Sequence, residues 1–241
     1  MRKIEQHPVY LLSLMQRIST GTLAPAAFQR PYVWKREDVL ALCTSILKRY
    51  PIGGILTWMP GALADTNALA RNRLGPISLG VSKWGPALLL DGQNRLATLA
   101  WMLRDIDETL PEDITENERA IWGTEEQLIV DLVKQEIRFE PVSTALNGLT
   151  LPAGVVFDTR KANALVRARW DKEWAAFSDD EKDEGLKWLD KCSDAFREAQ
   201  VIETLLPEAT LEEAREAFIH ICRVGVPMSQ EDFDKAIGWK I

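Results

Sequence analysis

The stretch LLLDGQNRLATL, residues 88–99, constrains the fold of this chain more than any other segment. Its apolar start is typical of a buried strand, and Asp91-Gly92 ends that strand abruptly. From Gln93 to Leu103 the apolar residues recur with a helical period. The stretch therefore predicts a buried strand, a glycine turn and a helix whose first turn carries two amides and an arginine.

Two interpretations fit this strand–turn–helix unit. In the first it binds phosphate: a helix N-terminus carries partial positive charge, Gly92 permits close approach, and Arg95 can donate two N–H groups. Asp91 would then bind a metal ion or orient a water molecule. In the second, Asp91 is the helix N-cap and the segment is only a turn. If the segment binds phosphate, we expect Arg95→Ala to leave stability near that of the wild type, because a cation opposes the helix dipole at this position. If the segment is only a turn, the substitution should change the melting temperature more than ligand affinity.

The rest of the 241-residue chain mixes strands and helices early and favours helices later. Apolar periodicity predicts strands over 55–59, 77–81 and 87–90, a hairpin over 127–133 and 136–139, and helices over 9–18, 36–50, 93–103, 161–174, 179–199 and 211–222. This order is typical of an α+β fold. We expect a core over 1–110 and a mostly helical extension over 111–241, packed together as one compact unit.

Composition excludes several classes of protein. No apolar run approaches the roughly 20 residues of a membrane-spanning helix, and the N-terminus lacks the features of a signal peptide. The three cysteines have neither metal-binding nor disulfide spacing, which favours a reducing cytoplasm. With only His7 and His220, a zinc site built on several histidines or a histidine-based triad is not expected.

The charge distribution is asymmetric. Residues 1–110 contain 13 Lys and Arg against 8 Asp and Glu, a net charge of +5, and the remainder carries −12. The overall charge of −7 argues against a generally basic nucleic-acid-binding surface. The basic part carries the Asp91 segment, so an anionic ligand is expected there.

Two further segments carry candidate binding residues. FQRPYVW, residues 28–34, combines an amide, an arginine and two amphipathic aromatic residues on a stretch that Pro31 stiffens. Arginine beside aromatic residues suits a base or a phosphate, although the same pattern fits an edge segment anchored in the core. HICRVGVP, residues 220–227, fits either a site or a basic helix C-terminus with Gly225 as its cap.

These segments, in this order, resemble the N-terminal domain of GmrSD-type modification-dependent restriction endonucleases, a branch of the ParB/sulfiredoxin-like fold. Residues 28–34 match the family segment F-Q-R-x-Y-x-W, residues 51–53 match P-I-G, and residues 91–99 match D-G-Q-Q-R-L-T-T-L. Residues 218–229 match F-x-R-I-N-x-G-G-x-x-L-S with departures at His220, Cys222 and Val224, and Asn94 replaces the second glutamine of the longer motif.

The resemblance implies a ParB/sulfiredoxin-like core with a small mixed sheet, followed by a largely helical extension. It implies a nucleotide-binding, NTP-hydrolysing domain of a DNA-restriction, phage-defence system that gates cleavage by a separate nuclease. Asp91, Gln93 and Arg95 are then the expected catalytic residues, and Asp91 is the candidate ligand for Mg²⁺. The expected nucleotide-binding residues are Gln29, Arg30, Tyr32, Trp34, Gly92, Asn94, His220 and Arg223.

Such domains usually precede a nuclease with a His-Asn-His-type site, and two histidines do not provide one. We therefore expect no nuclease activity from this chain alone. The final residues, 233–241, are typical of the start of a helix, which favours a fragment of a longer protein or a subunit that works with a nuclease. DNA would be engaged through the full-length protein or complex, without a membrane, and oligomerisation stays open. The alternative function is a non-enzymatic DNA- or protein-binding module.

We expect weak binding to unmodified DNA, because few phosphates can be neutralised by a segment of net charge +5. Fluorescence anisotropy at physiological salt should give a Kd above about 1 μM, within the range of non-specific binding. A submicromolar affinity that does not depend on DNA sequence would contradict this prediction.

Overall fold

A computed structural model of the chain describes residues 4–29, 31–61, 66, 68–79, 86–103, 110–123, 125–144 and 148–224, with only the backbone at 221–224. Within these ranges the helices are α1 (Leu11–Ser19), α2 (Arg36–Leu47), α3 (Gln93–Leu103), α4 (Glu116–Trp122), α5 (Thr159–Arg169), α6 (Asp179–Glu198) and α7 (Leu211–Val224). The strands are β1 (Glu5–Tyr10), β2 (Leu23–Pro25), β3 (Gly54–Met59), β4 (Arg73–Leu74), β5 (Ile77–Ser78), β6 (Ala87–Asp91), β7 (Glu126–Asp131), β8 (Glu136–Pro141), β9 (Thr150–Pro152) and β10 (Gln200–Pro207).

The chain forms two compact units, each assembled from separate stretches of sequence. The first comprises Met1–Tyr32, Gly53–Ala97 and Gln200–Ile241, and the second comprises Val33–Ile52 and Thr98–Ala199. The division at residue 110 that the sequence suggested stays a prediction. The prediction for residues 233–241 falls outside the described residues.

The first unit is built on a five-stranded mixed sheet in the order β1-β10-β3-β6-β2. The pairs β1–β10 and β3–β6 are antiparallel, whereas β10–β3 and β2–β6 are parallel. The α+β fold with a small mixed sheet, predicted from the sequence, is confirmed. Asp91 at the end of β6 lies opposite Leu56 near the start of β3, next to a shift in register.

The core of the first unit lies between this sheet and α7. Leu56, Trp58 and Leu88 from the sheet are almost fully buried, and each such side chain contributes about 1.5–3 kcal/mol. The ring of Phe218 on α7 packs edge-to-face on Phe28 with 5.5 Å between ring centroids. Trp58 Nε1 donates a hydrogen bond of 2.8 Å to the carbonyl of Ala209, so this large side chain is buried without an unsatisfied donor.

The second unit combines a three-stranded antiparallel sheet, in the order β8-β7-β9, with α2, α4, α5, α6 and a short 3-10 helix. The long α6 begins with a capping box, in which Ser178 and Glu181 exchange hydrogen bonds between side chain and backbone. It packs closely through Gly185, where an added Cβ would lie 2.7 Å from the side chain of Leu132. This unit thus has its own layered core.

Several predicted elements are confirmed and others are wrong. Strands β3 and β6, helices α2, α3, α6 and α7, and the hairpin β7–β8 lie close to their predicted bounds. The helix predicted from residue 9 begins at Leu11, because β1 extends to Tyr10. The helix predicted over 161–174 ends at Arg169, and β1, β9 and β10 were not predicted at all.

A buried carboxylate holds β1, β10, β3 and α1 together. Glu203 on β10 is 2% exposed, and its two oxygens accept hydrogen bonds of 3.0 and 2.8 Å from Nη1 of Arg17. Thr57 Oγ1 donates a third bond of 2.8 Å, and His7 Nε2 lies 3.3 Å away. Burial raises the pKa of Glu203, but these hydrogen bonds and charges outweigh it and hold the pKa below its ordinary value.

We expect Glu203→Gln to lower the free energy of unfolding at neutral pH by about 1.5–3 kcal/mol, the usual contribution of hydrogen bonds to a charged group. The pKa of Glu203 is lower in the folded state than in the unfolded state. The carboxylate therefore makes its full contribution to stability at pH values above the unfolded-state pKa of about 4.3, and this contribution is lost as the pH falls through the folded-state pKa. Urea denaturation of both chains should show a difference that shrinks below about pH 4.

The control for that experiment is Glu5→Gln, which removes an exposed carboxylate from the neighbouring strand. It should change the unfolding free energy by less than about 0.5 kcal/mol at every pH. A Glu203→Gln deficit that stays constant or grows toward acid pH would show that the carboxylate network is not the source of the stability.

Candidate functional site

The predicted strand, turn and helix around Asp91 are present in the first unit. β6 ends at Asp91, Gly92 has φ +96°, and α3 begins at Gln93. The carbonyl of Gly92 accepts a 3.1 Å bond from the N–H of Leu96, so Gly92 occupies the N-cap position. The alternative that Asp91 caps the helix is therefore wrong, and its side chain, 43% exposed, stands one residue earlier.

Glycine is required at position 92 for two separate reasons. The φ of +96° lies in a region that side chains rarely adopt. In addition, a Cβ at this position would lie 2.6 Å from Cγ2 of Ile55 on β3. The turn is therefore pressed against the neighbouring strand, which fixes the start of α3.

Arg95 lies largely buried in the first turn of α3, with 17% of its side chain exposed. Its Nη2 is 3.4 Å from Oδ2 of Asp91, and its guanidinium lies against Gly53. Burial lowers the pKa of Arg95, whereas the charge of Asp91 acts to raise it. The expectation that Arg95→Ala leaves stability unchanged did not account for this packing, and we now expect a loss.

Gln29 connects the first sequence segment to the end of β6. It is 6% exposed, and its Nε2 donates to the carbonyls of Leu89, at 3.3 Å, and Leu90. Arg71 in turn donates to the carbonyls of Gln29 and Ala27. Gln29 thus holds the strand that ends in Asp91, and its contact with a nucleotide stays a prediction.

Arg71 was not predicted as part of this arrangement. Besides its side-chain bonds, its backbone N–H donates to the carbonyl of Pro25 at 2.8 Å. It stands in a polar stretch without periodicity, so no local signal in the sequence distinguishes it from a solvated surface arginine. Its importance follows only from contacts across more than 40 residues of chain.

The remaining predicted residues lie in different surroundings. Tyr32 is 2% exposed in the first unit, whereas Trp34 belongs to the second unit, where its carbonyl accepts a 3.3 Å bond from Asn117. Gln93 and Asn94 are half-buried in the first turn of α3 and His220 is exposed on α7. Arg30 and the side chain of Arg223 lie outside the described residues, as do residues 225–229 of the third segment.

Three sequence segments nevertheless meet within the first unit. The contact between Phe218 and Phe28 joins the third segment to the first. The hydrogen bond from Gln29 to Leu90 joins the first to the strand that carries Asp91. In the part of the chain that the structure describes, no three His, Cys, Asp or Glu side chains are grouped to hold a metal ion.

The family model of the GmrSD restriction endonuclease N-terminal domain matches residues 11–237 of the chain. The chain belongs to this family. Membership confirms the resemblance and supports a role in a DNA-restriction, antiviral defence system with a nuclease partner domain. The ParB/sulfiredoxin-like assignment stays a prediction.

Two further findings concern this GmrSD-type N-terminal domain. A search of curated proteins found no match. None of the helices within the described ranges has the length and apolar character to cross a membrane. The predicted cytoplasmic location stays a prediction.

We expect Gly92→Ala to lower the free energy of unfolding by at least about 2 kcal/mol, since it combines a positive φ with overlap against Ile55. Urea denaturation measures the loss. The matched control is Gly61→Ala, where an added Cβ meets no atom within 4 Å and which should change stability by less than about 0.5 kcal/mol. Equal effects of the two substitutions would contradict the described turn.

Proposed function

We propose that this GmrSD-type domain binds a nucleoside triphosphate at the Asp91–Arg95 turn and hydrolyses it with Mg²⁺, and that hydrolysis gates DNA cleavage by a separate nuclease domain or subunit. One observation carries the proposal: a largely buried guanidinium and a half-exposed carboxylate stand side by side at the N-terminus of α3. Gly92, with φ +96°, forms the tight turn that brings the end of the strand and the first turn of the helix together.

Arg95 supports phosphate binding through its burial. A guanidinium removed from water attracts an anion more strongly than an exposed one, because the local dielectric is lower. Its 3.4 Å contact with Asp91 is longer than the roughly 2.7–2.9 Å of a strong charge-assisted hydrogen bond. A phosphate oxygen can therefore compete for the same N–H group.

Asp91 supports the proposed use of Mg²⁺. This ion is usually held by one or two carboxylates together with the phosphates of the substrate, so a single half-exposed carboxylate beside the proposed phosphate site fits it. When bound, the ion supplies charge neutralisation on the transferred phosphoryl group. Gln93, the first residue of α3, is proposed to orient the attacking water.

Other residues are also proposed to contribute to nucleotide binding. Gln29 is proposed to act mainly by holding the end of β6, since its amide nitrogen is engaged there. The further residues proposed to bind the nucleotide are Arg30, Tyr32, Asn94, His220 and Arg223, and a contact of Trp34 with the nucleotide stays a prediction.

A non-enzymatic DNA- or protein-binding module is the second candidate function. It is favoured by the contact between Asp91 and Arg95, which satisfies both charges within the chain. In that case the loop has a structural role and neither residue acts on a nucleotide.

Two substitutions distinguish these functions. We expect Asp91→Asn to bind a triphosphate but lose hydrolysis, because the amide keeps the shape and removes the charge that holds Mg²⁺. We expect Arg95→Ala to weaken binding by about 1.5–3 kcal/mol, the contribution of one charge-assisted contact, and to lower the melting temperature as well. Calorimetric titration with ATP, GTP, CTP and UTP, with and without Mg²⁺, measures affinity, and phosphate release measures turnover.

Glu216→Gln and Arg49→Ala are the controls, since each removes an exposed charge elsewhere. Both should bind and turn over nucleotide like the wild type. A nucleotide at about 100 times its Kd should also stabilise the wild type by about 2.7 kcal/mol. If no triphosphate stabilises the chain, or if both site variants match the wild type, the structural alternative is correct.

A further inference from the structure

Gly53 occupies a position where a side chain would overlap the proposed phosphate-binding arginine. It directly precedes β3 and has φ +83°, which favours glycine. A Cβ built on Gly53 would overlap Nη1 of Arg95 and lie 3.4 Å from its Cζ. The guanidinium therefore fills the space that any side chain at position 53 would need.

A second glycine borders the same guanidinium. A Cβ on Gly92 would lie 3.6 Å from Nη2 of Arg95, and one on Gly53 would lie 3.8 Å from that atom. Both glycines have positive φ. Gly53 precedes the start of β3 and Gly92 follows the end of β6, and these lie at the same end of the pair because the two strands are antiparallel. Oδ2 of Asp91 lies 3.4 Å from Nη2.

We infer that Gly53 is a positioning residue, which leaves a slot beside Gly92 where the guanidinium of Arg95 is held ready for a phosphate group. This inference rests on the proposed function, because it concerns the arginine proposed to bind phosphate. It gives a physical role to Gly53 within the Pro51-Ile52-Gly53 segment.

Fixing this guanidinium matters for two reasons. A long side chain loses much conformational freedom when it is ordered. In a preformed slot this entropy is lost on folding, so it does not weaken ligand binding. Two parallel N–H···O bonds to one phosphate also demand a defined orientation. A methyl group at position 53 would move the guanidinium and weaken binding without removing its charge.

The simpler alternative is that glycine at 53 serves only the backbone conformation. Gly21, in the turn after α1, has φ +70° and therefore provides a control for the cost of positive φ away from Arg95. A backbone effect would appear at both glycines as lost stability, whereas a positioning effect would appear as lost affinity at Gly53 alone.

The experiment compares Gly53→Ala, Arg95→Ala, the double variant and Gly21→Ala, with ATP and GTP in Mg²⁺ as probes in calorimetric titration. We expect Gly53→Ala to weaken the tighter of the two at least tenfold. In the Arg95→Ala background the same substitution should change affinity less than twofold, and Gly21→Ala should bind like the wild type. Wild-type affinity in Gly53→Ala, or an equal loss in both backgrounds, would overturn the inference.

Urea unfolding of the same four chains tests the contact without a ligand. Because Arg95→Ala removes the overlapped atoms, Gly53→Ala should cost less stability in that background than in the wild type. Additive losses would overturn the inference. If the wild type binds neither nucleotide, the proposed function fails, and this unfolding cycle still decides whether Gly53 positions Arg95.

Discussion

The Glu203 carboxylate fixes the strand register on which the site of this domain depends. It accepts hydrogen bonds from Arg17 on α1 and Thr57 on β3, and these bonds join β10 to α1 and to the neighbouring strand β3. Opposite Glu203 in the ladder stands Ile55, the residue that presses against the Gly92 turn. A slip of one residue would turn Ile55 to the other face of the sheet and leave the start of α3 without its support.

The sequence was most informative where structure is local. The apolar run into Asp91-Gly92 and the helical period after it predicted β6, the turn and α3, because each depends on neighbouring residues. Strand β10 was not predicted, because a charged residue at position 203 indicates a solvent-facing position unless its half-buried partner Arg17 is known. For the same reason the burial of Arg95 against Gly53 was not foreseen: the two residues meet only through the pairing of β3 with β6.

The family motifs acquire physical content from these contacts. The amide of Gln29 acts on the strand that carries Asp91, and Phe28 beside it packs on Phe218 from the third segment. The motifs are therefore parts of one core as well as candidates for ligand contact. A substitution at Gln29 or Phe28 would disturb the placement of Asp91 even if neither residue touches a nucleotide, so activity loss at these positions does not by itself identify a binding residue.

The sheet order has a consequence for how this domain is made. β10 stands between β1 and β3, and the side-chain bond from Gln6 to Thr204 spans 198 residues. At about 5–20 residues per second, a ribosome releases β3 many seconds before β10 exists to pair with it. During that interval the edges of β1 and β3 are unprotected against pairing with other chains. The Asp91 turn can thus reach its final form only after β10 has left the ribosome, and until then β1 and β3 must be kept from pairing with other chains.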